Sequence, residues 1–243
     1  MQHNKAIVIF TKEPQLAPGN RSDPFSGVAW NDITLLFSSM LIDAVDTFTC
    51  VGGADIIVYS HGAEVIREGL VNFRGSSDIR KQQGQTFQEN VYLGLESAFQ
   101  EGYHRILAFL EVNPLFDAES AQRAFAQFNI EDDCLVYGPL DDGSCYMVGM
   151  KTNHSNVFQP FENGSPTDRF IWLKRLCACD GILFPMADMY AINNGHALLR
   201  LKKDLEQQLV RQTAGQSPTA YSHRTMEMFK ILHKKYEINP RKQ

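Results

Sequence analysis

Residues 134–149, C-L-V-Y-G-P-L-D-D-G-S-C-Y-M-V-G, contain two short apolar runs on either side of a turn. The runs at 134–137 and 145–148 have the length and composition of strands buried in a sheet. The segment between them holds Gly138, Asp141, Asp142 and Gly143, residue types that favour turns. We therefore expect a hairpin-like unit whose turn presents carboxylates and backbone N–H groups at the edge of a sheet.

Strand and helix patterns alternate on both sides of this unit. Four further apolar runs predict buried strands, at 6–10, 55–59, 105–110 and 182–184. Apolar residues at helical spacing predict helices near 30–45, 87–99, 117–128, 167–178, 195–211 and 221–236. Thr86 with Glu89 three residues later has the pattern of a capping box at one helix start. This order predicts an α/β fold with a mainly parallel sheet and helices on both faces.

The C-terminal part of the chain is predicted to be an extension of that fold. The segment T-A-G-Q-S-P-T at 213–219 is the best candidate for a linker. We therefore expect residues 1–212 to form the α/β domain and residues 213–243 to form a linker and a helix packed on it. The apolar positions of that helix favour packing or an oligomer contact, and they are Met226, Phe229, Leu232 and Tyr236.

Composition is that of an ordinary globular protein, and charge is unevenly distributed. The hydrophobic fraction is 44%, the charged fraction is 21%, and the formal net charge of −5 argues against a nucleic-acid partner. Residues 200–243 contain ten Lys or Arg against four Asp or Glu, and therefore carry a local charge of +6. Such a segment is usually the solvated face of terminal helices, and the alternative is a partner with phosphates or anionic lipid.

Five scattered cysteines indicate a reducing compartment. The pair Cys177 and Cys179 has no second Cys or His pair at metal-ligand spacing. No apolar run approaches the ~20 residues that a membrane span needs, and the first residues do not have the pattern of a signal peptide. The sequence therefore predicts a cytoplasmic protein with no membrane span.

The segment after the first strand is the first candidate for ligand binding. In a doubly wound sheet, ligands bind beyond the carboxyl ends of the strands. This segment carries Lys12, Pro18, Gly19 and Arg21, so its shape is restricted and its cations could meet phosphate oxygens. It contains neither G-x-G-x-x-G nor G-x-x-x-x-G-K-[ST], which argues against a Rossmann dinucleotide site and a P-loop. The alternative is a loop with a structural role only.

The order of motifs resembles that of the nucleotide-diphospho-sugar transferase superfamily, which has the glycosyltransferase-A fold. Within it, the chain is similar to a family of small bacterial transferases of largely unassigned substrate. The family's K-x-P-x-P-G motif is matched at 12–19 with one extra residue, and its G-Y-x-R-h-h motif, where h is apolar, at 102–107. Its G-P-x-x-D-G-G-Y-Y-h-h-G turn is similar to residues 138–149. The resemblance covers roughly residues 5–205. It implies a nucleotide-diphospho-sugar as partner and phosphate binding by Lys12, Pro18, Gly19, Arg21, Gly138 and Gly143.

The chain departs from the family at the positions that would hold a divalent metal. The family's Asp after the strand corresponding to 105–110 is replaced by Val112, flanked by Glu111 and Asn113. Its late Asp-x-Asp is replaced by a stretch that ends in Asn193 and Asn194. Mg²⁺ and Mn²⁺ prefer oxygen ligands, so Glu111 and Asn193 would be the remaining candidates. We therefore expect either a weak Mg²⁺ or Mn²⁺ site or no metal, with Lys12 and Arg21 acting on the phosphates.

The sequence leaves several functions open. One is glycosyl transfer from a nucleotide-diphospho-sugar, with Asp142 or Asp141 orienting the acceptor hydroxyl or acting as general base. For both residues the alternative is a turn-forming role, because Asp-Gly is a common turn pair. A second function is non-catalytic binding of a nucleotide or a protein by the same fold. A third is nucleotidyl transfer from a nucleoside triphosphate. The loss of the acidic metal-binding positions argues against it as much as against glycosyl transfer.

Overall fold

A computed structural model describes residues 4–12, 25, 27–60, 77–130, 132–159, 175–179, 181–213 and 222–236. The chain forms two compact units. Unit 1 consists of Met1–Lys12, Val51–Glu111 and Glu119–Ala191, and unit 2 of Glu13–Cys50, Val112–Ala118 and Ile192–Gln243. The sheet belongs to unit 1 and the two C-terminal helices belong to unit 2.

The sheet has seven strands in the order β3-β2-β1-β4-β6-β5-β7. Strand β6 pairs antiparallel with β4 and β5, whereas every other neighbouring pair is parallel. The sheet is therefore mainly parallel, as predicted. The strands are β1 Lys5–Phe10, β2 Asp55–Ser60, β3 Ser77–Lys81, β4 Arg105–Phe109, β5 Cys134–Pro139, β6 Cys145–Met150 and β7 Ile182–Pro185.

The centre of the sheet is covered on both faces. Side chains of successive strand residues point to opposite faces, and all five residues from Ala6 to Phe10 in β1 have 0% exposure. Burial on both faces explains why these strands are continuous apolar runs rather than alternating ones. The predicted α/β class is confirmed.

Within the described part of unit 1, two helices of ten or more residues and a 3₁₀ turn accompany the sheet. They are α2 Phe87–Gln100, α3 Ala118–Gln127 and the turn Ser155–Phe158. The side chain of Thr86 accepts the N–H of Glu89 at 3.1 Å, as the capping pattern predicts. A Cβ on Gly94 would lie 2.6 Å from the Phe10 ring, so α2 approaches β1 closely. The Phe10 ring stacks on Tyr59 of β2 with centroids 5.2 Å apart.

The described residues of unit 2 form three helices, which are α1 Trp30–Thr49, α4 Gly195–Thr213 and α5 His223–Tyr236. Helices α1 and α5 pack against each other with opposite directions. Asp43 accepts the backbone N–H groups of Arg224 and Thr225 at the start of α5, at 3.2 and 2.7 Å. Asp32 accepts Lys235 Nζ at 2.8 Å at the other end of α5. The C-terminal helix is thus held at both ends by carboxylates of α1.

The structure differs from the sequence-based prediction at one strand. Strand β3, S-D-I-R-K, was not predicted, because it is a polar edge strand with no buried residue. The predicted helix at 167–178 and the linker at 213–219 lie mostly outside the described residues, with helix seen at 175–177. The domain boundary at residue 212 stays a prediction.

Candidate functional site

The carboxyl ends of β1, β2, β4 and β5 meet the start of antiparallel β6 at one edge of the sheet in unit 1. Strands are added to the sheet in opposite directions on the two sides of β1, because β2 and β3 lie on one side of it and β4 on the other. Such a switch point is where open α/β sheets place their ligands. We call this edge the carboxyl rim, and it comprises Thr11, Lys12, Gln82, Glu111 and residues 139–144.

Lys12 brings a positive charge to the rim two residues after β1 ends. Its side chain is exposed, and its Nζ lies 4.8 Å from the centroid of the Phe87 ring, at the first residue of α2. An exposed cation over a half-buried ring such as that of Phe87 gains only about 0.5–1 kcal/mol, so the ammonium group can exchange this contact for a phosphate at little cost. Lys12 is therefore the described residue best suited to bind an anion here.

A group of polar hydrogen bonds holds the strand ends next to Lys12, and Gln82 lies at its centre. The side chain of Gln82 is buried, and its Nε2 donates to the carbonyls of Thr11 at 2.9 Å and Tyr59 at 3.1 Å. The N–H of Thr11 also donates to Tyr59 O at 3.0 Å, and the N–H of Gln82 donates to Ser60 O at 3.2 Å. These bonds join the carboxyl ends of β1 and β2 to the residue that follows β3.

Glu111 follows β4 on the other side of the switch point. Its N–H donates to the carbonyl of Tyr146 at 3.3 Å, which places its backbone beside the start of β6. Burial raises the pKa of the nearby Cys145 thiol; the charge of Lys12 acts in the opposite direction and that of Glu111 adds to the rise. The thiol therefore stays protonated and acts as a small buried apolar group.

The turn between β5 and β6 engages Asp142 with its own backbone. Asp142 Oδ1 accepts the N–H of Ser144 at 3.0 Å and its hydroxyl at 2.5 Å. Gly143 has a φ of +81°, a conformation that glycine adopts without strain. This is an Asx turn, so the turn-forming role of Asp142 is observed, whereas a catalytic role stays a prediction.

Asp141 is exposed and ties the turn to the segment after β7. Its Oδ1 accepts the N–H of Ala191 at 3.0 Å, and its own N–H donates to Met189 O at 3.0 Å. Leu140 also forms an isolated parallel bridge with Met189. Asp141 is thus held in a fixed position at the rim.

Gly138 allows the Tyr146 ring to pack closely against the backbone at the base of the turn. A Cβ at this position would lie 2.2 Å from the Tyr146 ring. The Tyr146 hydroxyl in turn donates to Ala187 O at 3.1 Å. The structure therefore shows a packing reason for Gly138, and its predicted phosphate contact stays a prediction.

The remaining predicted residues lie outside the described residues or in unit 2. Pro18, Gly19 and Arg21 lie outside the described residues. Asn193 belongs to unit 2, is exposed, and its Oδ1 accepts Nδ2 of Asn194 at 2.8 Å. Asn194 Oδ1 in turn accepts the N–H of Ala197 at 2.9 Å and so caps α4.

A divalent metal at the rim would need several oxygen ligands. Among the described residues, no group of three or more His, Cys, Asp or Glu could hold a metal ion. At the rim, Asp141 and Asp142 already accept backbone N–H groups, which a cation would have to replace or share. The described residues therefore do not fit the carboxylate cage that Mg²⁺ or Mn²⁺ prefers.

Two residues of the rim, Gln82 and Ser144, and Phe87 beside it are not predicted from the sequence as parts of the site. Gln82 follows a strand that was not recognised, Phe87 was assigned only to the buried stripe of α2, and Ser144 was not considered as a partner of Asp142. Of the three, only Ser144 could have been identified from its sequence neighbours, because Asp-x-Ser in a turn favours a hydrogen bond from the backbone N–H of the Ser to the Asp side chain.

In the described part of the chain, no helix is long and apolar enough to cross a membrane. No family model matches the sequence. No curated protein matches it either.

Solved structures do match the fold. A protein described as a putative nucleotide-diphospho-sugar transferase from Desulfovibrio desulfuricans has a TM-score of 0.70 and 17% identity, covering 97% of both chains. The 4-diphosphocytidyl-2C-methyl-D-erythritol synthase of Anaerococcus prevotii has a TM-score of 0.53 and 12% identity, covering 83% of this chain and 96% of that one. A Mycobacterium tuberculosis protein in complex with manganese has a TM-score of 0.50 and 10% identity, covering 83% and 98%.

The structural similarity establishes the fold, and at identities of 12–17% it does not establish the activity. The chain has the fold of nucleotide-sugar and nucleotidyl transferases, as the resemblance implied.

Proposed function

We propose that this chain binds a nucleotide-diphospho-sugar at the carboxyl rim and transfers its glycosyl group to an acceptor. The observation that carries the proposal is the exposed ammonium group of Lys12 at the topological switch point of a transferase fold. Ligands of open α/β sheets bind at that point, and a cation there attracts the diphosphate.

Glycosyl transfer requires that negative charge on the leaving diphosphate be neutralised. A divalent ion does this in many enzymes, but cationic side chains placed in advance can also do so. The described acidic residues do not form a metal cage, whereas Lys12 can leave the Phe87 ring to contact phosphate oxygens. We therefore assign charge neutralisation to Lys12, with Arg21 as its proposed partner.

The acceptor hydroxyl needs a carboxylate to orient it or to take its proton. Asp142 Oδ1 is already engaged by two donors of Ser144, which hold this carboxylate in the turn. Asp141 is exposed and fixed through the N–H of Ala191. Asp141 is therefore the better candidate for general base, and Asp142 for the residue that shapes the turn.

A second candidate function is binding of the nucleotide-sugar without transfer. It is favoured by the backbone bonds that both Asp141 and Asp142 make, since turn formation alone explains these residues. This candidate shares the ligand and the role of Lys12 and differs only in the chemical step.

The test is a thermal-shift series followed by a transfer assay. Uridine, guanosine, cytidine and thymidine diphospho-sugars, and the matching triphosphates, would be added with Mn²⁺, Mg²⁺ or EDTA. A ligand at 100 times its dissociation constant stabilises a fold by about 2.7 kcal/mol, which a melting curve resolves.

We expect one nucleotide-diphospho-sugar to raise the melting temperature in EDTA, and the sugar to be released or transferred on incubation. Binding without release favours the second candidate. A shift with a triphosphate alone favours nucleotidyl transfer, and no shift with any nucleotide rules out both candidates.

A further inference from the structure

We propose that Gln82 is a positioning residue that orients Lys12 for the diphosphate. The inference rests on the proposed function for its ligand, but its contacts are independent of that function. Gln82 does not contact Lys12 itself in the contacts described above; it holds the carbonyl of Thr11, the residue directly before Lys12.

The amide of Gln82 can have only one orientation. Both contacts of its Nε2 are carbonyl oxygens, of Thr11 and Tyr59, and carbonyl oxygens only accept hydrogen bonds. The NH₂ group must therefore face them, and Oε1 must point away. A flipped amide would place Oε1 against these two carbonyl oxygens. The Gln82 NH₂ group therefore helps to fix the direction in which the chain leaves β1.

The burial of the Gln82 amide lowers the stability of the fold, which a residue with a purely stabilising role would not do. Gln82 is 4% exposed, and within the described residues its Oε1 is buried and accepts no hydrogen bond. A buried acceptor without a donor costs about 1–3 kcal/mol. An apolar residue of the same length would avoid that cost, and Tyr59 O would still accept the N–H of Thr11 at 3.0 Å and its hydroxyl at 3.3 Å.

The contact that an apolar residue could not replace is the one to Thr11 O. Without it, the peptide between Thr11 and Lys12 loses the tether that fixes its plane relative to β2 and β3. Lys12 has a long side chain with several rotamers, so its Nζ reaches a defined point only when its backbone is fixed. We therefore infer that the amide of Gln82 orients Lys12 by fixing its backbone.

The experiment is a double-mutant cycle with Lys12→Met, Gln82→Met and the double variant. Methionine keeps the length and flexibility of glutamine but cannot donate to a carbonyl. Gln83→Met is the matched control, because Gln83 is the next residue and is exposed. Calorimetric affinities would be measured for pyrophosphate and for the nucleoside diphosphate that the thermal-shift series selects.

We expect Lys12→Met to weaken diphosphate binding about 10-fold and Gln82→Met about 5-fold, since both act on one charged contact. In the Lys12→Met background, Gln82→Met should change affinity less than about 2-fold. Gln83→Met should leave affinity and melting temperature unchanged. Equal loss in both backgrounds, or no loss from Gln82→Met, would overturn the positioning role.

A second readout separates this inference from the proposed function. Hydrogen exchange at the amide of Lys12 and acetylation of its Nζ can be followed by mass spectrometry without any ligand. Gln82→Met should speed both at Lys12 and leave the core of β1 protected. If the wild-type chain binds no nucleotide, the proposed function fails while faster reaction at Lys12 still supports the inference. Unchanged exchange and acetylation would contradict it.

Discussion

Two regions of this molecule, the α1–α5 pair and the carboxyl rim, contain carboxylates in fixed positions but use them differently. In the pair, Asp43 has 0% exposure and accepts two backbone N–H groups of α5, and Asp32 pairs with Lys235. At the rim, Asp141 is exposed and Lys12 contacts an aromatic ring. The pair uses its charges to stabilise a helix contact, whereas the rim leaves a cation accessible to a ligand.

The same contrast explains the basic C-terminal segment. Many of its described cations form ion pairs with neighbouring acids in unit 2, as in Arg200–Asp204, Lys202–Glu206, Arg224–Asp43, Lys230–Glu227 and Lys235–Asp32. These five cations are therefore partly neutralised by the acids beside them. These pairs support the expectation that the segment is the solvated face of terminal helices.

The largest expected effect is at Asp43. Replacing it with alanine removes a buried acceptor from two N–H groups of α5, so Asp43→Ala should lower the free energy of unfolding by about 3–4 kcal/mol. Urea denaturation measures this loss. Asp46→Ala is the control, because Asp46 also pairs with Arg224 but nearer the surface, and it should cost only about 0.5 kcal/mol. Equal losses from both variants would mean that burial does not distinguish the two acids.

A smaller loss is expected at the base of the rim. Gly138→Ala places a Cβ 2.2 Å from the Tyr146 ring. The ring must move, and overpacking of this kind costs about 1–3 kcal/mol. Gly52→Ala is the control, since nothing lies within 4 Å of a Cβ there. Thermal unfolding that is the same for both alanines would show that the turn is less rigid than the rim requires.

The two aspartates of the turn should separate stability from activity. Asp142→Ala loses the acceptor of Ser144 and should cost about 1 kcal/mol, whereas Asp142→Asn keeps an acceptor oxygen and should cost less. With Asp141 as general base, Asp141→Asn should abolish transfer while Asp142→Asn retains it. Transfer lost only in Asp142→Asn would reverse the assignment, and urea denaturation of each variant controls for unfolding.

The smallest effect is a difference in pH dependence between Asp43 and Asp32. Burial raises the pKa of Asp43, against the lowering effect of the N–H of Thr225. Hydrogen bonds from Lys235 and then Tyr236 lower the pKa of Asp32. Asp43 therefore contributes less stability as pH rises from the usual carboxyl pKa through its raised value. The contribution of Asp32 is present above the usual pKa and is lost as pH falls through its lowered value.

Carboxyl ¹³C chemical shifts across the acid range check this difference. The Asp43 midpoint should lie above that of an aspartate in a short peptide, and the Asp32 midpoint should lie below it. Midpoints in the reverse order would contradict the burial of Asp43 and the pairing of Asp32.

Strands that are buried on both faces could be predicted from the sequence, whereas a polar edge strand could not. Strands β1, β2 and β4 were predicted because burial on both faces makes them continuous apolar runs. Strand β3 was not, because an edge strand needs no apolar residues. At the N-terminus of α2 the Thr86 half of the capping box was right, but Glu89 accepts the N–H of Gln85 at 2.7 Å.

The site was less predictable than the fold. Lys12 and Asp142 could be proposed from short motifs, because a motif lies within one stretch of chain. The role of Gln82 depends on carbonyls of Thr11 and Tyr59, which only the parallel pairing of strands brings together. Contacts of this kind leave no local pattern in the sequence.

The most direct test of Lys12 as the phosphate-binding cation is a calorimetric titration of the wild-type chain and Lys12→Met, both in EDTA, with the nucleotide-diphospho-sugar selected by thermal shift. We expect the wild-type chain to bind without metal and Lys12→Met to bind about 10-fold more weakly with an unchanged melting temperature. Equal affinity of the two proteins, or binding that appears only when Mn²⁺ or Mg²⁺ is added, would contradict the role of the accessible cation at the carboxyl rim.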